Sequence, residues 1–171
     1  MTLKQKAIIG SNTLIDIVGI VKGVPAKVDT GADSSAIWAT DISVNEDGTL
    51  SFVLFGKKSP FYTGKVLVAK KYTVAGVVSS SGHREIRYRV TLPVRINGRR
   101  VAVNFNLSNR SVHRFPVLIG KRTLSGKFLV DVSQSAIKVP VRKTLELNKE
   151  MSADPYKFFR KYHNSAAKVK E

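Results

Sequence analysis

Read for hydrophobic and polar alternation, the first 140 residues of this chain predict strands and little else. Leu14-Ile15-Asp16-Ile17-Val18 and Val24-Pro25-Ala26-Lys27-Val28 are short and rich in β-branched residues. Glu46-Asp47-Gly48 marks a turn before an apolar stretch from Leu50 to Phe55, and further strands are predicted over Lys65 to Ala69 and Tyr72 to Val78. Asn97-Gly98 is a hairpin turn between Val94-Arg95-Ile96 and Val101-Ala102-Val103. Val117-Leu118-Ile119 ends at Gly120 as a buried strand does, and Phe128-Leu129-Val130 reads the same way. A short helical turn fits Lys121 to Leu124. The clearer helix is C-terminal: Asp154 can cap, Pro155 suits the first helical position, and Phe158 and Tyr162 fall on one face. The pattern changes near Val141. The expected organisation is therefore an all-β domain over residues 1–140 with one short helix, followed by a basic, partly helical tail over residues 141–171. There is no internal repeat and no low-complexity tract.

Composition changes this picture in two ways. Of the residues, 43% are hydrophobic, enough for a packed core, and the absence of cysteine excludes disulfides and thiolate zinc sites. Twenty-nine Lys and Arg against twelve Asp and Glu give a net charge of +17. Such a surface attracts polyanions: RNA, a ribosome, a membrane surface or an acidic polypeptide. Charge alone does not choose among them, and simple solubility accounts for it too. Lys4, Lys6 and Ala7-Ile8-Ile9 make a poor signal-peptide core, and no later stretch is long enough to span a bilayer. The expectation is a soluble, cytoplasmic protein with no membrane partner.

The candidate chemistry lies in Ala26-Lys27-Val28-Asp29-Thr30-Gly31-Ala32-Asp33-Ser34-Ser35-Ala36. An apolar strand delivers Asp29 into a turn of small residues, where Thr30 can hydrogen-bond and Gly31 allows close backbone approach. Two carboxylates held in this way and brought together cannot both ionise. One would then act as base on a water and the other as acid toward a carbonyl. Taken alone, the triplet equally describes an ordinary turn after a strand. Two further blocks accompany it. Val77-Val78-Ser79-Ser80-Ser81-Gly82 is a small-residue tip between two strands, and Val117-Leu118-Ile119-Gly120 is an apolar run closed by glycine.

In these three blocks the sequence resembles the retropepsin-like aspartic peptidases. Within them it is similar to the branch labelled ATP-dependent zinc protease, the RimB group linked to the RimK glutamate ligase. The match runs through Ala26 to Ala36, then Ser79-Ser80-Ser81-Gly82-His83-Arg84-Glu85-Ile86-Arg87-Tyr88. It continues in Asn109-Arg110-Ser111-Val112-His113-Arg114-Phe115-Pro116 and on through Gly120 to Phe128-Leu129-Val130-Asp131. The resemblance implies a single-lobed, closed β barrel with Asp29 catalytic, Thr30 and Gly31 holding its geometry, and Ser79, Ser80, Ser81 and Gly82 as the tip of a flap. Where the family has Arg after Ile-Gly, this chain has Lys121. The resemblance implies that this residue braces Asp33 in a structural pair behind Gly120, although a lysine lacks the fork of an arginine.

A single Asp-Thr-Gly occurs in 171 residues; Asp131-Val132-Ser133 departs from it at both positions after the aspartate. The second carboxylate is therefore expected from a second copy across a two-fold axis. On the strand after the tip, Glu85, Arg87 and Arg89 share one face by the period of two. With His83, Arg84 and Arg110 they would give the cleft a basic lining suited to carboxylates. A solvated strand face is the alternative for these arginines. The reading is thus a homodimeric aspartic endopeptidase that cuts glutamate-rich or poly-glutamate segments. The alternatives are a non-catalytic module of the same fold binding a polyanion such as ribosomal RNA, and a metal-dependent hydrolase. His83, His113 and His163 form no zinc motif, and there is no phosphate-binding loop for ATP, so no cofactor and no metal are expected.

Overall fold

The computed structural model describes residues 6–78, 82, 84–138 and 142–163. It divides into two compact units, Met1–Ile137 and Lys138–Glu171. In the first unit the strands are β1 (Ala7–Ile9), β2 (Asn12–Ile17), β3 (Val21–Asp29), β4 (Ser35–Val44), β5 (Leu50–Leu54) and β6 (Val66–Ala69). They continue as β7 (Thr73–Val78), β8 (Arg84–Ile96), β9 (Arg99–Ser108), β10 (Val117–Gly120) and β11 (Phe128–Val130), with helix α1 (Lys121–Leu124) between the last two.

Six strands close into a barrel in the order β10-β3-β2-β8-β9-β4, the ring completed by antiparallel pairing of β4 with β10. The closed ring leaves no open edge. Alternation decides what points inward. On β3, Val24, Ala26 and Val28 are buried in the core, which sends Lys27 and Asp29 to the opposite face. Phe52, Phe55, Phe105, Ile15, Ile37 and Ile119 fill the interior, each buried side chain stabilising by about 1.5–3 kcal/mol. Asn97 and Gly98 have φ of 45° and 75°, the left-handed pair a two-residue hairpin turn requires, and they join β8 to β9.

Outside the ring, β7 pairs with β8, from Thr73↔Arg89 to Val78↔Arg84. This hairpin is rooted by an edge-on contact between Tyr72 and Tyr88, 5.8 Å between ring centroids. β5 and β6 extend the sheet beyond β4, and β1 and β11 form a separate parallel pair.

The structure differs from the sequence pattern at β4. The pattern predicts no strand between Val28 and Leu50, yet Ser35 opens a ten-residue strand. Its hydroxyl is buried but satisfied, accepting from Gly120 N–H at 3.0 Å and pairing with the Thr123 hydroxyl at 2.8 Å. A polar residue can begin a buried strand when such partners wait for it.

The second unit contains helices α2 (Arg142–Ala153) and α3 (Pro155–His163). Asp154 caps α3 by accepting from Lys157 N–H at 2.9 Å, and the Phe158 and Tyr162 rings pack at a tilt of 48°, 4.6 Å between centroids. The pattern gave no warning of α2, which carries few apolar residues. Glu150 joins it to α3 through Lys161 at 2.5 Å and the Tyr162 hydroxyl at 3.0 Å. No helix among the described residues is long and apolar enough to cross a membrane.

Candidate active site

Asp29 is the last residue of β3 and lies beside Gly120, the last residue of β10, in the parallel register that joins the two strands. The chain turns immediately, and the amides of Gly31 and Ala32 donate to Asp29 Oδ1 at 3.1 and 3.2 Å. Among the described residues Oδ2 has only the Lys27 ammonium, 3.8 Å away, and the side chain remains 29% exposed. One carboxylate oxygen is thus fixed by the backbone while the other stays open to solvent.

The loop carrying Asp29 is clamped against the start of α1. Lys121 N–H donates to the Ala32 carbonyl at 2.8 Å and Arg122 N–H to the Asp33 carbonyl at 3.2 Å. This explains the glycine closing the apolar run. A Cβ at Gly120 would lie 2.5 Å from the Ser34 carbonyl oxygen and 2.9 Å from that of Ala32, so only glycine lets the two segments meet. Lys121 Nζ pairs with Asp33 Oδ1 at 2.6 Å. Its hydrogen bond and charge hold the Asp33 carboxyl below the usual carboxylate range. Both side chains are exposed, so the pair adds little stability, and the backbone bonds carry the clamp.

Asp29 opens into a cleft of about 1170 Å³. The β7–β8 hairpin supplies Gly76 to Val78, Arg87 and Arg89 to its lining; the segment before β10 supplies Arg110, His113 and Phe115. Arg110 Nε donates to the Phe115 carbonyl at 3.1 Å, which fixes the guanidinium. Burial and the neighbouring Arg87 push Arg110 below its usual range, opposed by the Asp29 charge. Burial, then Arg110 and Arg87, push the His113 imidazole below its ordinary value of 6.5. Such crowding of cationic groups favours an anionic guest. Arg87 is partly committed, donating to Glu85 Oε2 from Nε at 3.0 Å and from Nη2 at 2.7 Å. Arg89 donates to Asn106 Oδ1 at 3.0 Å, and Asn106 donates to the Ser34 hydroxyl at 2.8 Å, linking the hairpin to the Asp29 loop.

Asp29, Gly31, Asp33, Arg87, Arg89 and Arg110 therefore converge on one cleft. Thr30 is exposed, and its hydroxyl makes no hydrogen bond among the described residues. Arg84 is exposed at the far end of β8 and does not line the cleft; Gly82 is exposed with φ of 81°. Ser79, Ser80, Ser81 and His83 lie outside the described residues. Asp131 is held in its own turn, accepting from Ser133 N–H at 3.0 Å and from Gln134 at 2.9 Å, and lines no part of the cleft. Among the described residues, no three His, Cys, Asp or Glu side chains cluster as metal ligands. Sequence reasoning left out Ser34, Asn106 and Arg122. Asn106 offered one signal, a polar residue at a fully buried strand position that must find a partner.

A family model described as "RimB-like: Retropepsin-like aspartic endopeptidase RimB" matches residues 8–141. A protein of Shewanella pealeana named "Probable alpha-L-glutamate ligase" is 29% identical over 135 residues, covering 77% of this chain and 30% of that one. A protein of the same name from Desulfotalea psychrophila is 25% identical over 130 residues, covering 74% of this chain and 28% of its own. The chain thus spans under a third of the length of these curated relatives. A solved structure of a Legionella pneumophila protein of unknown function has the same fold, with a TM-score of 0.58 and 22% identity over 77% of this chain and 97% of that one.

Proposed function

The chain belongs to the RimB-like family of retropepsin-like aspartic endopeptidases, and on that premise we propose that it hydrolyses peptide bonds in acidic, glutamate-rich segments as a homodimer. The observation that carries this reading is the carboxylate of Asp29: one oxygen tied to two backbone amides, the other open to a cleft edged with arginine.

The reaction needs a second carboxylate, and the chain holds one Asp-Thr-Gly. In the proposed dimer the same residue of a second copy faces Asp29 across a two-fold axis. Two carboxyls so placed share one proton. The ionised one takes a proton from the water whose oxygen attacks the peptide carbonyl carbon; the protonated one gives its proton to the carbonyl oxygen. The tetrahedral diol then collapses: the C–N bond breaks, the leaving nitrogen takes a proton from the newly protonated carboxyl, and a diol hydroxyl gives its proton to the other carboxylate, which restores the dyad. The exposed Thr30, which has no partner among the described residues, fits a surface that a second copy covers. For the substrate, support comes from the cleft's cationic lining and from relatives named for glutamate ligation. Arg110 suits a carboxylate because its guanidinium is already desolvated and oriented.

The test is Asp29→Asn assayed on glutamate-rich peptides. Cleavage is expected to fall by at least about a thousandfold with the thermal midpoint of unfolding unchanged. Equal cleavage by both proteins refutes the reading. Tight binding by both with cleavage by neither favours a polyanion-binding module instead.

A further inference from the structure

A second, smaller cavity of about 120 Å³ lies on the outer face of β9. Its lining includes Arg89, Arg122, Lys127, Asn104 and Thr123, three cations and, among the described residues, no carboxylate. It shares Ser34, Arg89 and Arg122 with the large cleft, so the two are neighbours beside the Asp29 loop. The positive charge is held there by construction. Arg89 is fixed through Nε to Asn106, and Thr123 is buried and bonded to Ser35. The Arg122 side chain makes no hydrogen bond to the protein among the described residues, and Lys127 reaches only the Ser125 carbonyl, at 3.4 Å. The Arg122 and Lys127 side chains make no hydrogen bond within the clamp on the loop, which uses only the backbone of Arg122, although the Arg122 charge acts on Asp33.

We infer that this cavity is an outer subsite of the cleft, taking the carboxylate of an acidic substrate side chain at a position removed from the bond that is cut. The inference rests on the peptidase reading for the path of the peptide, but the binding it requires does not depend on cleavage. A lining with three cationic side chains and no acid among the described residues favours a carboxylate over an amide of the same shape. The chain would then select for acidic residues at spaced positions, with long acidic segments preferred over short ones.

The experiment uses the full chain carrying Asp29→Asn, so that peptides bind without being cut. Affinity for a poly-glutamate peptide is measured by fluorescence anisotropy at physiological salt. Adding Arg122→Gln with Lys127→Gln is expected to weaken binding about tenfold. A control pair, Lys57→Gln with Lys58→Gln, removes the same charge from an exposed turn in neither cavity and is expected to cost less than about twofold, since distant charges are screened. Peptides with one glutamate changed to glutamine at successive positions add the second readout. One position should matter when Arg122 and Lys127 are present and become indifferent when both are replaced. Equal losses for the two pairs, or an unchanged position profile, overturn the subsite. If the unaltered chain binds these peptides through Arg122 and Lys127 but never cuts them, the peptidase reading falls and the subsite stands. If it cuts them and the two pairs behave alike, the reverse holds.

Discussion

Replacing Gly120 by alanine tests whether the clamp on the Asp29 loop is as tight as the geometry says. The added methyl would sit 2.5 Å from the Ser34 carbonyl oxygen, 2.6 Å from its carbon and 2.9 Å from the Ala32 carbonyl oxygen. Ordinary contact begins at 3.4 Å, and all three atoms are backbone, so the loop or strand β10 must retreat by about 0.9 Å. The loop cannot retreat freely, because Lys121 N–H and Arg122 N–H hold the carbonyls of Ala32 and Asp33. Overpacking of this kind costs about 1–3 kcal/mol, and weakening two hydrogen bonds adds about 1 kcal/mol each. The expected loss is about 4 kcal/mol. In urea denaturation, with a slope near 2 kcal/mol/M, the midpoint would fall by about 2 M. Gly76→Ala is the internal control: its added methyl meets nothing within 4 Å, so it should stay within about 0.5 kcal/mol of the parent. Because the displaced loop also supplies the amides that hold Asp29, peptide cleavage should fall more steeply than stability in the remaining folded protein. Unfolding of Gly120→Ala at the parental urea concentration would refute the argument.

Three other outcomes follow from the cleft and its charges. Arg110→Lys keeps the charge but loses the fork and the Nε bond to Phe115, so kcat/KM on acidic peptides should drop about tenfold, mostly through KM; an unchanged KM would remove Arg110 from recognition. His113 should take up a proton when an acidic peptide enters, because the guest offsets the positive field of Arg110 and Arg87. Affinity should then strengthen as pH falls from about 7.5 toward about 6, with proton uptake seen by calorimetry in two buffers and lost in His113→Gln. For the free chain the sign is opposite. The folded pKa of His113 lies below the unfolded value, so below pH 6.5 the unfolded state binds more protons and stability declines toward the folded pKa. Finally, two chains of charge +17 repel each other, so the dimer should be weak at low salt. Sedimentation equilibrium should show association rising with salt and with added acidic peptide. Monomer alone under conditions of full cleavage would contradict the shared dyad.

Much was legible in the sequence because it is local. Period-two alternation put Val24, Ala26 and Val28 inside and delivered Asp29 to the far face. Asn97-Gly98 dictated its hairpin through backbone φ, and Asp154-Pro155 opened its helix through a cap and a missing N–H. Asp29, Gly31 and Gly120 were recognisable by motif, and Arg87 and Arg89 by strand phase, while Arg84, expected in the same lining, lies outside the cleft. What stayed hidden depends on which distant segments touch. Ser35 starts a strand because Gly120 and Thr123, far along the chain, satisfy its hydroxyl. Asn106 bridges Arg89 and Ser34, three residues that no local pattern associates. Arg122 and Lys127 look like helix-end surface charges until β9 and the Asp29 loop close a cavity around them. Backbone preference and alternation act over a few residues and can be read from them directly. Burial, the pairing of polar groups and the pooling of charge belong to the closed barrel, and only its closure decides them.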